Sequence, residues 1–281
     1  MKTYAYRLVN VFAETTFGGN PLCVFTDAHD LSTHQMQALA LQFNLSETTF
    51  LLPSEKATAR VRIFTPTFEL DFAGHPTLGS AHVIRDVMQK GNRLTLEMNA
   101  GIIPVSAVND RWTFTANAPT SHAAAQTNAQ LAAALGLDRK DVLDGARWVS
   151  TGTAQLIIPL ATIDAVKRVR PKADLLQRLA IEAGNTAMAY VFAPIDQSNL
   201  LARFFFMKHD SVIEDAATGS ATANLGGWMA HHGKAPCHFD ILQGDTISRP
   251  SHLTLEISAG GAITVSGRVI EIGLGEMCFR V

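Results

Sequence analysis

The chain has 281 residues, of which 47% are hydrophobic and 17% charged, with a formal net charge of −2; this balance excludes disordered and fibrous classes and offers no basic face to a nucleic-acid backbone. The length is more than one hydrophobic core comfortably fills, so two lobes are expected. Cys23, Cys237 and Cys278 form no CxxC pair, which points to reduced thiols and away from a disulfide framework or redox chemistry.

The opening residues, MKTYAYRLVNVFAETTFGGN, show no basic stretch followed by an apolar core and a small-residue cleavage site, and no apolar run reaches the roughly 18 residues of a membrane helix. A cytoplasmic chain with neither a membrane nor a nucleic-acid partner is expected. Strand-like runs then dominate: YAYRLVNVF at 4–12, PLCVF at 21–25, TTFLLP at 48–53, ARVRIFTP at 59–66 and RLTLEM at 93–98. Two helices interrupt them. One follows Ser32, a suitable N-cap; the other begins around His75, with Pro76 in the first turn, where its missing N–H has no partner to lose. Gly91 is the predicted stop of the second helix. Residues 119–150, Ala-rich and polar, read as a linker running into a helix that ends near Gly136, and so as a domain boundary. The tail from Ser266, SGRVIEIGLGEMCFRV, reads as a strand pair returning to the first domain.

The second half repeats the first. GGNPLCVF at 18–25 is answered by AGNTAMAYVF at 183–192, ARVRIFTP at 59–66 by LARFFFMK at 201–208, and AGHPTLGSAHVI at 73–84 by TGSATANLGGWM at 218–229. Gly74 thereby pairs with Gly219 and His75 with Ser220. Three matches in one order indicate a duplicated strand-rich unit wrapped on a central helix.

Candidate chemistry gathers in NLSETTF at 44–50, FAGHPTLGSA at 72–81 and EDAATGSATAN at 214–224. In the last two, a strand ends, glycine permits close backbone approach, and the first N–H groups of a helix point outward with partial positive charge. Two such starts facing each other would hold a carboxylate without a metal. Glu47, after a helix and before an apolar strand, is either a solvated loop carboxylate or, if buried at a domain interface, a general acid/base with a raised pKa. His75 is either a structural hydrogen-bonder or a donor to a developing oxyanion. Asp215 is either a helix N-cap or a catalytic or amine-binding group.

Other signals fall short. AGHPTLGS has glycines at P-loop-like spacing but no lysine after the second, and neither GxGxxG after a strand nor a GxSxG elbow occurs. His231, His232, Cys237 and His238 match no zinc spacing and read as a solvated helix end stopped by Gly233. Glu47 and Asp215 as a glycosidase pair would lack aromatic platforms, since aromatic residues are only 7% of the chain.

The set GNP at 19–21, LSET at 45–48, RIFTP at 62–66, FAGHPTLG at 72–79, EDAATGSA at 214–221 and ILQGDTISRPS at 241–251 resembles the PhzF, or phenazine-biosynthesis-like, family over essentially the whole chain. The resemblance implies an α+β fold of two pseudo-symmetric domains like those of diaminopimelate epimerase, each a barrel-like β-sheet around a central helix. The implied domains are 1–117 with 267–281 and 118–266, with the active site in the cleft between them. It further implies a homodimer, no cofactor, no metal and a small carboxylate substrate, with trans-2,3-dihydro-3-hydroxyanthranilate as the family's phenazine-type example. On that reading Glu47 shuttles the proton; His75, Asp215, Ser46 and Ser220 match the family's other polar positions; and the amides of Gly74, His75, Gly219 and Ser220 hold the carboxylate. Epimerases of this fold carry two cysteines where this chain has Ala73 and Thr218, which disfavours two-base racemisation. The alternatives are an epimerase or racemase of an amino or hydroxy acid, and a non-catalytic small-molecule binder. Asp71 in FELD and the segment FFFMKHDSVIED at 204–215 depart from the family pattern and bear on substrate choice.

Overall fold

The computed structural model describes residues 2–208 and 210–279; Met1, His209 of the departing 204–215 segment, and Arg280 and Val281 of the tail lie outside the described residues. The chain divides into two compact units, one running to Thr115 and resuming at Ser266, the other spanning Ala116–Val265.

In the first unit β1 (Lys2–Val11) and β2 (Asn20–Phe25) are followed by α1 (Thr33–Phe43), β3 (Glu47–Leu52), β4 (Ala59–Phe64), the short β5 (Glu69–Leu70), α2 (Gly74–Val87), β6 (Arg93–Met98), β7 (Gly101–Val108) and β8 (Arg111–Thr115). Neighbouring strands pair in the order β1, β2, β3, β4, β6, β7, β8. A long last strand, introduced below, pairs with both β1 and β8 and closes the ring into an eight-stranded barrel. The barrel is antiparallel except at β2–β3 and β4–β6, where a helix makes the crossover.

Both faces of β2 are covered, which is why it reads as an unbroken apolar run. Cys23 and Phe25 pack with Met36, Leu39 and Ala40 of α1 outside the barrel, while Leu22 faces the inner helix α2. That inner helix is buried from Gly74 to Ala81 and again at Val83 and Ile84. It fits because it is thin: a Cβ at Gly79 would stand 2.6 Å from Leu22 Cδ2 and 2.9 Å from Val11 Cγ2. The outer helix is set by its ends. Ser32 and Gln35 form a reciprocal capping box, and Asn44 closes the helix in the left-handed region at φ 51°.

The second unit contains β9 (Thr120–Ala123), α3 (Asn128–Leu135), β10 (Arg147–Ser150), β11 (Ala154–Pro159), α4 (Ile163–Arg168), α5 (Ala173–Glu182), β12 (Met188–Pro194), β13 (Asn199–Lys208), β14 (Ser211–Asp215), α6 (Gly219–His231), β15 (Cys237–Gln243) and β16 (Ser251–Ile257); β17 (Ile263–Phe279) then leads back to the first unit. From β10 the pairing pattern is that of the first unit: antiparallel to β11, parallel β11–β12, antiparallel β12–β13, parallel β13–β15, antiparallel β15–β16, with β14 folded back on β13 as β5 is on β4. The inner helix is α6, buried from Ala221 to Met229 and at Gly219. The predicted duplication is therefore a duplication of topology, and two of its three matches, β4 with β13 and α2 with α6, are counterparts; the third is corrected, because β2 (Asn20–Phe25) corresponds by its pairing to β11, and β12, which holds MAYVF, corresponds to β3. No helix among the described residues is long and apolar enough to cross a membrane.

Three local expectations are corrected. The stretch 119–150 is not a linker: it forms β9, α3 and β10, and Leu131, Leu135 and Trp148 enter the core of the second unit. Its alanines line a small helix, capped by Thr127 and Gln130 and stopped as expected by Gly136 at φ 68°. Helix α2 ends at Val87, before Gly91, because Gln89 takes the left-handed conformation at φ 50°. The tail is one strand, not a pair; β17 follows β1 from Val269 to Phe279 with a single irregularity opposite Leu8 and Val9. Neither Gly273 nor Gly275 within it makes a turn: a Cβ at Gly275 would stand 2.5 Å from the Tyr6 hydroxyl, and one at Gly273 would make an ordinary contact with Leu8.

Candidate active site

The candidate residues fall into a cluster in each unit. In the first, Glu47 opens β3 and His75 lies in the first turn of α2. The parallel register of β2 and β3 sets Glu47 opposite Leu22, at the end of the barrel where α2 begins. Glu47 Oε2 lies 3.4 Å from His75 Nε2, with the histidine side chain 5% and the glutamate side chain 17% exposed. A nearby carboxylate favours the imidazolium, whereas complete burial opposes it. Burial wins, and the His75 pKa is pushed down to about 3, so the ring is neutral at pH 7. Ser46, half-buried, precedes Glu47. Ala73 caps α2 with no side-chain hydrogen bond, so the helix start at Gly74 and His75 carries its dipole without a neutralising side chain.

In the second unit Asp215 ends β14, and Gly219 and Ser220 open α6. Asp215 is not the N-cap. That position belongs to Thr218, whose hydroxyl donates to Asp215 Oδ2 at 2.6 Å. Gln243 binds both: its Nε2 donates to the Asp215 carbonyl and to Thr218 Oγ1, each at 3.0 Å, and its Oε1 accepts from the Thr218 N–H at 3.3 Å. Ser220 Oγ accepts from Gln155 Nε2 at 3.2 Å. Behind it Asn224, fully buried, donates to Gln155 Oε1 and the Thr153 carbonyl and accepts from Thr151.

Thus Glu47 comes together with His75, and Asp215 with Thr218 beside Ser220. Sequence reasoning missed Gln155, Asn224 and Gln243. Each is a lone amide in an apolar or small-residue run (AQLIIP, ATANLGG, ILQG), and a polar side chain isolated in a core run must find partners. In the His231–His238 segment, His232 stacks on Trp228 with ring centroids 3.9 Å apart and donates from Nδ1 to the Trp228 carbonyl. Asp71 is exposed, beyond the end of β5.

Residues 9–272 match the family described as Phenazine biosynthesis-like protein. The chain belongs to that family. Across 98% of its length it is 40% identical to an uncharacterized isomerase of Pasteurella multocida, covering 94% of that protein. It is 32% identical to the trans-2,3-dihydro-3-hydroxyanthranilate isomerase of Pseudomonas aeruginosa, covering 94% of this chain and 99% of that one. Among solved structures, the PhzF-family phenazine biosynthesis protein of Bacillus anthracis superposes with a TM-score of 0.89 at 26% identity, over 99% of this chain and all of the other. This PhzF-family chain is an isomerase, and its duplicated strand topology around two inner helices is the fold of that family.

Proposed function

We propose that this isomerase shifts a proton between two carbons of a small unsaturated or cyclic carboxylate, trans-2,3-dihydro-3-hydroxyanthranilate or an analogue, with Glu47 as the group that takes and returns the proton. The observation that carries the reading is the 3.4 Å approach of the Glu47 carboxylate to a buried, neutral His75. A neutral imidazole leaves the carboxylate as the base and keeps an N–H with which to stabilise negative charge developing on the substrate. The uncapped start of α2 adds its dipole in the same sense. In the second unit Asp215, held by Thr218, is suited to bind an amine or hydroxyl, and Ser220 with the amide of Gly219 to bind a carboxylate.

Positioned acid/base catalysis contributes about 10²–10⁴-fold, and one well-placed anion-stabilising donor about 3 kcal/mol. Racemisation needs a second base facing the first. Ala73 has no ionisable group, and the Thr218 hydroxyl is engaged by Asp215 and Gln243, which supports isomerisation by a single carboxylate.

The test is turnover of trans-2,3-dihydro-3-hydroxyanthranilate by the wild type and by Glu47→Gln, with anthranilate-induced thermal stabilisation as the measure of retained binding. The variant is expected to bind and not to turn over. Near-wild-type turnover refutes the shuttle.

A further inference from the structure

The hydrogen bonds behind Ser220 form a chain whose polarity is fixed at its far end. Thr151 N–H donates to Asn224 Oδ1 at 2.8 Å, and the Thr153 carbonyl accepts from Asn224 Nδ2 at 2.9 Å. A backbone N–H only donates and a carbonyl only accepts, so these two groups allow Asn224 one orientation of its amide. The Thr151 hydroxyl, 2.9 Å from the same Oδ1, agrees with it. Asn224 Nδ2 therefore faces Gln155 and donates to its Oε1 at 2.7 Å. That bond in turn leaves Gln155 Nε2 toward Ser220, where it donates to Oγ at 3.2 Å. Asn224 and Gln155 are 0% and 2% exposed, so reversing either amide would strand buried donors against donors.

The structure assigns Gln155 and Asn224 as positioning residues that fix the sense of the Ser220 hydroxyl, so that Ser220 accepts from within the protein and donates its proton outward to an oxygen of the ligand. Ser220 alone is ambivalent, since a hydroxyl donates or accepts as its surroundings require. With a donor behind it, its own hydrogen is directed to an acceptor, and a carboxylate oxygen is the strongest acceptor a small metabolite offers. The assignment deepens the proposed function and rests on its reading that Ser220 meets the substrate carboxylate. Gln155 and Asn224 do not touch the ligand; they make the site prefer an acceptor over a donor at that point.

The experiment measures anthranilate affinity by titration calorimetry on the full chain for wild type, Gln155→Met, Ser220→Ala and the double variant, with unfolding midpoints recorded without ligand. Gln155→Met keeps length and removes the donor, and each single variant is expected to weaken anthranilate about tenfold. The double variant is expected to be no weaker than Ser220→Ala alone, because Gln155 acts only through the hydroxyl; a merely structural role would instead weaken binding additively. Gln155→Glu serves as the second variant should Gln155→Met fold poorly. It is isosteric, still accepts from Asn224 and presents an acceptor to Ser220, so it is expected to weaken anthranilate at least as much. Wild-type binding with unchanged affinity in a folded Gln155 variant, or additive losses in the double variant, overturns the relay alone. A wild-type chain that neither binds anthranilate nor turns over the dihydro substrate overturns the proposed function and the relay with it.

Discussion

Arg203 on β13 grips Glu214 on β14 through two hydrogen bonds, 3.0 Å from Nε to Oε1 and 2.6 Å from Nη2 to Oε2. Arg62 on β4 makes the same fork onto Glu69 on β5, at 2.8 and 2.6 Å. In both units the glutamate stands five residues before the glycine that opens the inner helix, Gly74 or Gly219. The duplication thus preserves a clamp that sets where the strand hairpin releases the chain toward its helix. In the second unit the clamped glutamate is the immediate neighbour of Asp215.

The two clamps differ in burial, and their loss should differ accordingly. Arg203 and Glu214 are 6% and 9% exposed, and Arg203 also donates to the carbonyls of Val166 and Val169 at 3.0 and 2.9 Å. Removing one member of a buried pair strands the other charge, at a cost of about 3–5 kcal/mol. Arg62 and Glu69 are 17% and 22% exposed, where water takes over part of the solvation and a loss of about 1–2 kcal/mol is expected. Calorimetric unfolding of Glu214→Gln and Glu69→Gln checks the order. Equal shifts of the two midpoints would mean that the difference in burial has no energetic consequence.

His75 predicts a pH dependence with a definite sign. In the unfolded chain an ordinary histidine takes up its proton near pH 6.5, whereas in the folded protein burial delays that to about pH 3. Between those values the unfolded state binds more protons, so stability rises with pH through the window and is lost as pH falls below 6.5. From pH 7 to pH 5 the loss attributable to this residue is about 2 kcal/mol. Urea unfolding at both pH values should show that increment in the wild type and its absence in His75→Gln. A wild type that gains stability over His75→Gln on acidification would indicate an imidazolium paired with Glu47 and reverse the assignment.

Legibility in the sequence followed how local the determining physics is. Ser32 and Gly136 act on their own helix ends, and both were readable. Gly74, Gly219, Glu47 and His75 stood out because glycine and ionisable residues are conspicuous at an element boundary. Within 119–150 the helix ending at Gly136 was readable, but β9 and β10 were taken for linker because four-residue runs such as TSHA and RWVS become strands only by pairing with each other across 24 or more positions. Gln155, Asn224 and Gln243 escaped notice because their importance lies in partners about 25 to 75 positions away in sequence, which no local pattern reveals.

Glycine at the inner helix is a packing requirement, and the contrast with Gly91 tests it. A Cβ at Gly79 meets Leu22 and Val11 inside 3.0 Å, whereas one at Gly91 meets nothing within 4 Å. Gly79→Ala gains up to about 1 kcal/mol of helix propensity but incurs about 1–3 kcal/mol of overpacking, so a net loss of stability is expected. Gly91→Ala should be neutral or stabilising by about 0.5 kcal/mol through the unfolded state. Unfolding midpoints decide it, and a stabilised Gly79→Ala would show that the barrel interior has room the contacts deny.

Gln243 offers the sharpest separation of positioning from mere stability. It is fully buried, and its amide serves the Asp215 carbonyl, the Thr218 hydroxyl and the Thr218 N–H at once. Gln243→Leu leaves those groups without that partner, at about 1–3 kcal/mol of stability. It also frees Thr218 to turn away from Asp215, which loses its 2.6 Å donor. Gln243→Glu restores an acceptor for the Thr218 N–H but no donor for the other two groups. If the amide orients Asp215, both variants lower kcat/KM and only Gln243→Leu removes every bond. If Gln243 is structural alone, turnover per folded molecule at 25 °C stays at the wild-type level in both, whatever the unfolding midpoint does. Steady-state kinetics on protein verified as folded, set beside the unfolding midpoints, distinguishes the two outcomes.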